Sequence, residues 1–221
     1  GFPVFNADKE VSSLYKRNSQ TTDSKGIFLT HPVARHNWKT QSWPASAYQS
    51  NSYMDDHIKF FKNLDKEIRK KIVYRILISS DVENKTSFIE KMNNNFSEIE
   101  IDKGKKPLKK ILKKYKIACI PYNATNLLQT LKSNYPTIIF WNEDYFELRD
   151  DAIHYFEKLK EVNIFHSSPI SAAKHLNFIW EDIDSWWDNE KTQNARKTFC
   201  LKYSQLKKHN IHSMKKIIQN I

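Results

Sequence analysis

Two short runs of this chain, Gly26-Ile-Phe-Leu-Thr30 and Val73-Tyr-Arg-Ile-Leu-Ile-Ser79, are apolar at nearly every position instead of at alternate ones. A strand with one wet face alternates, whereas a strand apolar on both faces must be covered on both faces, and such strands belong to parallel sheets. Parallel neighbours cannot be joined by a tight turn, so crossover helices have to lie between them. The sequence supplies the helices. Met54, Ile58, Phe61, Leu64 and Ile68 form one apolar stripe between the two runs, and Phe88, Met92 and Phe96 form another after Asp81.

The same rhythm continues downstream. Glu98-Ile-Glu-Ile101 reads as a weak third strand, Leu108, Ile111, Leu112 and Tyr115 as a short helix, and Ile117-Ala-Cys-Ile120 as a fourth strand. A helix from Asn123 to Ser133 precedes a fifth strand, Thr137-Ile-Ile-Phe-Trp141, and a stripe of Leu148, Ala152, Tyr155, Phe156 and Leu159 leads to a sixth at Asn163-Ile-Phe165. From Ser168-Pro169, a cap followed by a first-turn proline, the pattern is entirely helical: one stripe runs through Ala172, Leu176, Ile179, Ile183 and Trp186, and two more helices follow. The expected fold class is therefore α/β, an open doubly wound parallel sheet closed by a carboxy-terminal helical segment. Residues 1–25, polar and rich in Lys, Ser and Asn towards their end, read as a linker, 26–166 as the sheet domain, and 167–221 as helices packing on that same domain. The start at Gly1, with no initiator Met, carries the expectation of a further domain upstream.

Composition narrows the function classes. No basic stretch followed by an apolar core occurs at the start, nor any long uncharged apolar run, so neither secretion nor a membrane span is expected. Cys119 and Cys200 are too far apart for a metal knuckle or redox motif and read as plain core thiols of a reducing cytoplasm. A formal charge of +11 suits polyanionic partners, whether nucleotides, nucleic acid or the anionic inner face of a membrane. The alternative it supports is a basic nucleic-acid-binding module, with Lys103 to Lys116 as the footprint. No nucleic-acid motif occurs, however, and those lysines follow solvated helix faces.

Candidate chemistry gathers where strands end. Asn123, Thr125 and Asn126 stand at a strand-to-helix junction, where unpaired N–H groups and the positive helix end suit a phosphate; simple capping is the competing reading. Arg75, inside an apolar strand, needs a carboxylate, a phosphate or a route to water. Thr30-His-Pro-Val-Ala-Arg-His36 places His31, Arg35 and His36 on a loop after the first strand, while two histidines without a third ligand make no metal site. Trp38 and Trp43 stack a base or cover the sheet, with packing preferred. Asn142 ends the fifth strand and Arg149 stands near a helix start, a position where a cation opposes the dipole and an anionic partner would help. Trp180, Trp186 and Trp187 read as packing of the terminal helices. The residues call for no cofactor, and no catalytic base can be named from them.

The ordered blocks Asn123-Ala-Thr-Asn-Leu-Leu-Gln-Thr-Leu131, Asn134-Tyr-Pro-Thr-Ile-Ile-Phe-Trp-Asn142, Glu147-Leu-Arg149, Ala172-Ala173, Trp186-Trp187, Ala195-Arg196 and Phe199-Cys200 resemble a family of bacterial transferases linked to surface carbohydrate biosynthesis. The carboxy-terminal half of that family is similar to the donor domain of GT-B glycosyltransferases, a Rossmann-like fold. The resemblance implies a nucleotide-sugar donor held in a cleft between two halves, with the acceptor presented by an amino-terminal domain. It implies phosphate contacts at Asn123, Thr125 and Asn126, and a ribose contact at Gln129, where related donor domains carry Glu. A non-catalytic assembly domain of a carbohydrate-synthesis complex is the other function it allows.

Overall fold

The computed structural model describes residues 25–31, 47–76, 85–143 and 146–204. Six parallel strands form one sheet: β1 (Gly26–Leu29), β2 (Ile72–Arg75), β3 (Ile101–Asp102), β4 (Ile117–Ile120), β5 (Thr137–Phe140) and β6 (Phe165–His166), in the order β3-β2-β1-β4-β5-β6. This is the doubly wound arrangement that the two-sided apolar runs imply, with the order reversing between β1 and β4.

Alternation along the central strands creates two cores. Ile27, Leu29, Ala118, Ile120 and Ile139 face one side, while Phe28, Ile117, Cys119, Ile138 and Phe140 face the other. The second core is closed by α1 (Ala47–Lys62), α2 (Lys66–Arg69), α3 (Lys85–Asn95) and α7 (Pro169–Ile179); the first takes α5 (Thr125–Lys132), α6 (Asp150–Glu161) and α9 (Glu190–Tyr203). The short α4 (Leu108–Ile111) runs into a 3-10 turn, Leu112–Lys114. Gly26, the first residue of β1, sits close against its neighbours: a Cβ there would lie 2.7 Å from Ile72 Cδ1 and 3.2 Å from Ile117 Cγ2, so the Ile72 side chain would have to shift to admit one.

Several boundaries differ from the sequence expectation for local reasons. The third strand lies at Ile101–Asp102 and not at Glu98–Ile101, since Phe96 and Ile99 are buried in the core and pairing begins only where Ile101 meets Tyr74. It ends at once, because Gly104, at φ 70, turns the chain and its N–H donates to Asp102 Oδ1 at 2.8 Å. The helix expected from Asn123 starts at Thr125. The single stripe from Ala172 to Trp186 is broken: α7 ends at Ile179, and Asp182 caps a separate α8 (Ile183–Trp187) by accepting Ser185 N–H at 3.0 Å. Ser168 caps α7 as the sequence implies, accepting Ser171 N–H at 3.1 Å with Pro169 in the first turn. Trp180 packs in the α1 core and Trp187 in the α9 core, so α8 carries the chain from one face of the sheet to the other.

Phe28 sits at the centre of the aromatic layer, 5.1 Å from Phe61, 5.2 Å from Phe60 and 5.5 Å from Tyr74, ring centre to ring centre. Phe28→Ala is expected to lower stability by about 3–5 kcal/mol through the cavity it leaves, whereas Ile153→Ala, on an exposed position of α6, should change it by less than about 0.5 kcal/mol. Urea unfolding midpoints at constant slope measure both; equal small effects would mean that the layer relaxes around the loss.

Candidate functional site

All six strands point the same way, so their carboxyl ends form one edge of the sheet, and the reversal between β1 and β4 splays the flanking loops apart there. A cleft of about 300 Å³ opens at that point, lined by Leu29, Thr30, Arg75, residues 104–108 and Asn126. Each wall has a local cause. Thr30 extends the β1 ladder by one residue, donating both N–H (3.0 Å) and Oγ1 (3.1 Å) to Arg75 O. Asn126, the second residue of α5, donates from Nδ2 to the buried Tyr122 hydroxyl at the end of β4.

The start of α5 is unusual. Its N-cap position is Ala124, which has no side-chain acceptor, and no side chain caps the first turn. The first N–H groups of an eight-residue helix therefore lack the usual Ser, Asp or Asn oxygen. Asn123 and Thr125, both exposed, flank this start without serving as its cap.

Arg75 is buried. Its guanidinium pairs with Asp102 Oδ2 and donates to the carbonyls of Gly104 (3.5 Å) and Lys106. Of the carboxylate, phosphate and route to water that an Arg in an apolar strand can use, the carboxylate is the one present. His31 follows Thr30; its N–H donates to the Tyr53 hydroxyl at 2.9 Å, and its ring stands edge-on to Tyr122 at 4.9 Å. Gln129 lies one turn further along α5, half-buried, with its carbonyl accepting Ser133 N–H. Asn142 follows β5 and accepts Phe146 N–H at 3.3 Å through its carbonyl. Arg149 precedes α6, largely exposed, with Nε 3.2 Å from Asp151. The structure thus brings Arg75 and Asn126 together in the cleft, with His31 beside it through Tyr122. Asn123, Thr125, Gln129, Asn142 and Arg149 are not among its lining residues. Arg35, His36, Trp38 and Trp43 lie outside the described residues.

The lysines of the cleft, Lys105 and Lys106, were missed by the sequence reading, which treats Lys103 to Lys116 as solvated helix. The usable signal is Gly104: Lys103-Gly-Lys-Lys-Pro107 directly follows a strand, and a glycine between lysines marks a turn, not a helix face. Thr30 and Tyr122 were missed because a strand-end threonine and a tyrosine before Asn carry no distinctive pattern.

Burial governs ionisation around the site. It pushes the Tyr122 hydroxyl up, with the Asn126 hydrogen bond opposing, and pushes Tyr53 and Tyr74 up as well. His57, fully buried with Nδ1 2.9 Å from the Tyr74 hydroxyl, is driven down to about 3, and His166 and His175 down to about 4. Among the described residues no group of three or more His, Cys, Asp or Glu is arranged to hold a metal, and no helix is long and apolar enough to cross a membrane.

The sheet order places the chain among doubly wound α/β proteins, with a basic cleft at the switch point. The profile of the LIC12162 family transferase matches residues 5–218, and the chain belongs to that transferase family. No curated protein matches the chain. Among solved structures, one of the wall teichoic acid polymerase TagF, soaked with CDPG, aligns with 97% of this chain at 13% identity and a TM-score of 0.45. The chain spans 46% of that polymerase's length.

The buried histidines set a pH dependence. Each takes up its proton near 6.5 when unfolded and only at much lower pH when folded, so stability present above pH 6.5 is lost as pH falls towards 3 for His57. Each such imidazole contributes a slope of about 1.4 kcal/mol per pH unit inside its window. His57→Phe should reduce the slope between pH 6 and 4.5, measured by denaturant midpoints, by about one proton. An unchanged slope would mean that His57 is protonated in the folded chain.

Proposed function

We propose that the chain binds the nucleotide-activated sugar donor of a transferase for bacterial surface carbohydrate, with the donor's phosphate at the start of α5. The observation that carries this reading is the cleft at the switch point, into which the uncapped α5 start brings Asn126 beside two lysines. Ligands of open α/β sheets bind there, and a helix start with free N–H groups favours an anion. Family membership supplies the transferase class, and the block pattern from Asn123 to Cys200 supports a GT-B-like donor half. In this reading Asn123 and Thr125 approach the phosphate from the exposed lip, Gln129 and Asn142 contact the ribose or sugar, and Arg149, His31, Arg35 and His36 supply further contacts to the donor. The acceptor is presented by a second half, at the cytoplasmic face of the inner membrane.

Three measurements test it. A thermal-shift panel of nucleotides and sugar nucleotides should contain a compound that raises the melting temperature in proportion to the logarithm of its concentration. Asn123→Ala combined with Thr125→Ala should then weaken that compound's binding by about tenfold, as expected for lost charge-assisted contacts, with little change in stability because neither residue caps α5. Unchanged calorimetric affinity would remove the phosphate from this helix start. Binding and turnover should also separate. In this reading the acceptor is aligned by a second half, so the 221-residue chain should transfer no sugar by mass spectrometry until an acceptor half is supplied.

A further inference from the structure

We propose that Lys105 and Lys106 are the cations that meet the donor's phosphates, and that Arg75 is their positioning residue, holding their loop in place without touching the ligand. The inference rests on the donor reading above and adds the residues that neutralise its charge.

The argument starts from the loop. After the two residues of β3, the segment Lys103–Pro107 has no secondary structure of its own. Its shape is fixed at both ends by one buried side chain. Arg75 is only 4% exposed as a side chain; one arm of its guanidinium pairs with Asp102, and the other donates to the carbonyls of Gly104 and Lys106. Asp102 completes the clamp by accepting Gly104 N–H through its second oxygen at 2.8 Å. A planar guanidinium can hold a carboxylate and two carbonyls at once, a geometry that an ammonium point charge cannot copy.

The consequence lies one atom layer further out. Lys105 and Lys106 are exposed, line the cleft with Thr30 and Asn126, and have no carboxylate partner among the described residues. Two lysines one residue apart, next to an uncapped helix start, present positive charge and donors to a group carrying two or more anionic oxygens. The chemical class that fits is a diphosphate. Arg75 itself is occupied on both arms, so its own charge is already spent on Asp102 and on the loop.

The test uses the full 221-residue chain, inorganic pyrophosphate as probe, and calorimetry, with thermal unfolding recorded for every variant. Lys105→Ala with Lys106→Ala should weaken pyrophosphate by at least about tenfold, the loss expected for charged hydrogen bonds at an exposed site. Arg75→Lys, which keeps the charge, and Asp102→Asn, which keeps the shape, should each weaken it similarly and raise the hydrogen-exchange rate of the Gly104 amide. Added to the chain already lacking both lysines, Arg75→Lys should change affinity no further, as for residues acting through one another.

A direct contact by Arg75 gives the opposite pattern. Asp102→Asn would free the guanidinium and tighten pyrophosphate, and Arg75→Lys would still weaken the chain without the lysines; either result overturns the positioning role. Unchanged affinity without Lys105 and Lys106, or no pyrophosphate binding by the parent chain, overturns the assignment of the cations. Should Arg75→Lys fail to fold, Asp102→Asn alone still separates the two roles. A chain that binds pyrophosphate through the lysines but binds no nucleotide or sugar nucleotide would keep this inference and defeat the donor reading. Nucleotide binding untouched by loss of the lysines would do the reverse.

Discussion

β1 has no water on either face. Ile27 and Phe28 are fully buried, Leu29 nearly so, and both flanking strands must saturate its backbone because no solvent is present to do it. That constraint propagates outward. β2 and β4 are buried in turn, which forces helices onto both faces and separates the apolar side chains into two cores. It also fixes the site. With every strand parallel and the order reversing between β1 and β4, the backbone leaves the ladder near the middle of the sheet after Thr30 and after Ile120, and the cleft opens between them.

Placing Arg75 at the end of β2 runs against the same constraint. Taking a guanidinium out of water is expensive, and only a well-formed pair with its remaining donors satisfied offsets the loss. Asp102 and the carbonyls of Gly104 and Lys106 provide that set. The register of β3 follows from it: Arg75 lies opposite Asp102, the strand stops there, and the chain turns at Gly104. A polar group that would destabilise an isolated strand thus determines where the sheet edge ends and where the lysine loop begins.

Much of this was legible before any coordinates. Runs such as Ile117–Ile120 and Thr137–Phe140 are apolar on both faces for a physical reason that leaves few other folds open, and Ser168-Pro169 states a helix start in chemistry that tertiary packing did not override. What was not legible depended on contacts between distant residues. Asp102 is an ordinary surface acid until Arg75 is placed beside it, and Glu98 to Ile101 looks as much like a strand as Ile101–Asp102 does. The stripe from Ala172 to Trp186 keeps helical period across Asp182 because its residues pack against the same core on both sides of the break, so the pattern does not show where α7 ends. Asn123 and Thr125 fit the composition of a cap, yet the cap position falls on Ala124, a difference of one residue that no propensity resolves.

The cleft's chemistry is one-sided. Among the described residues its lining carries Lys105, Lys106, Arg75, Thr30 and Asn126, which bring positive charge or hydrogen-bond donors, and no carboxylate. The nearby hydroxyls of Tyr122 and Tyr53 are held protonated by burial, so neither accepts a proton in the neutral range. A site so composed can hold an anion and stabilise negative charge as a bond to phosphate breaks, which is the larger electrostatic contribution to many group transfers. On the donor reading, then, leaving-group stabilisation belongs to the α5 start and the lysine loop of this sheet.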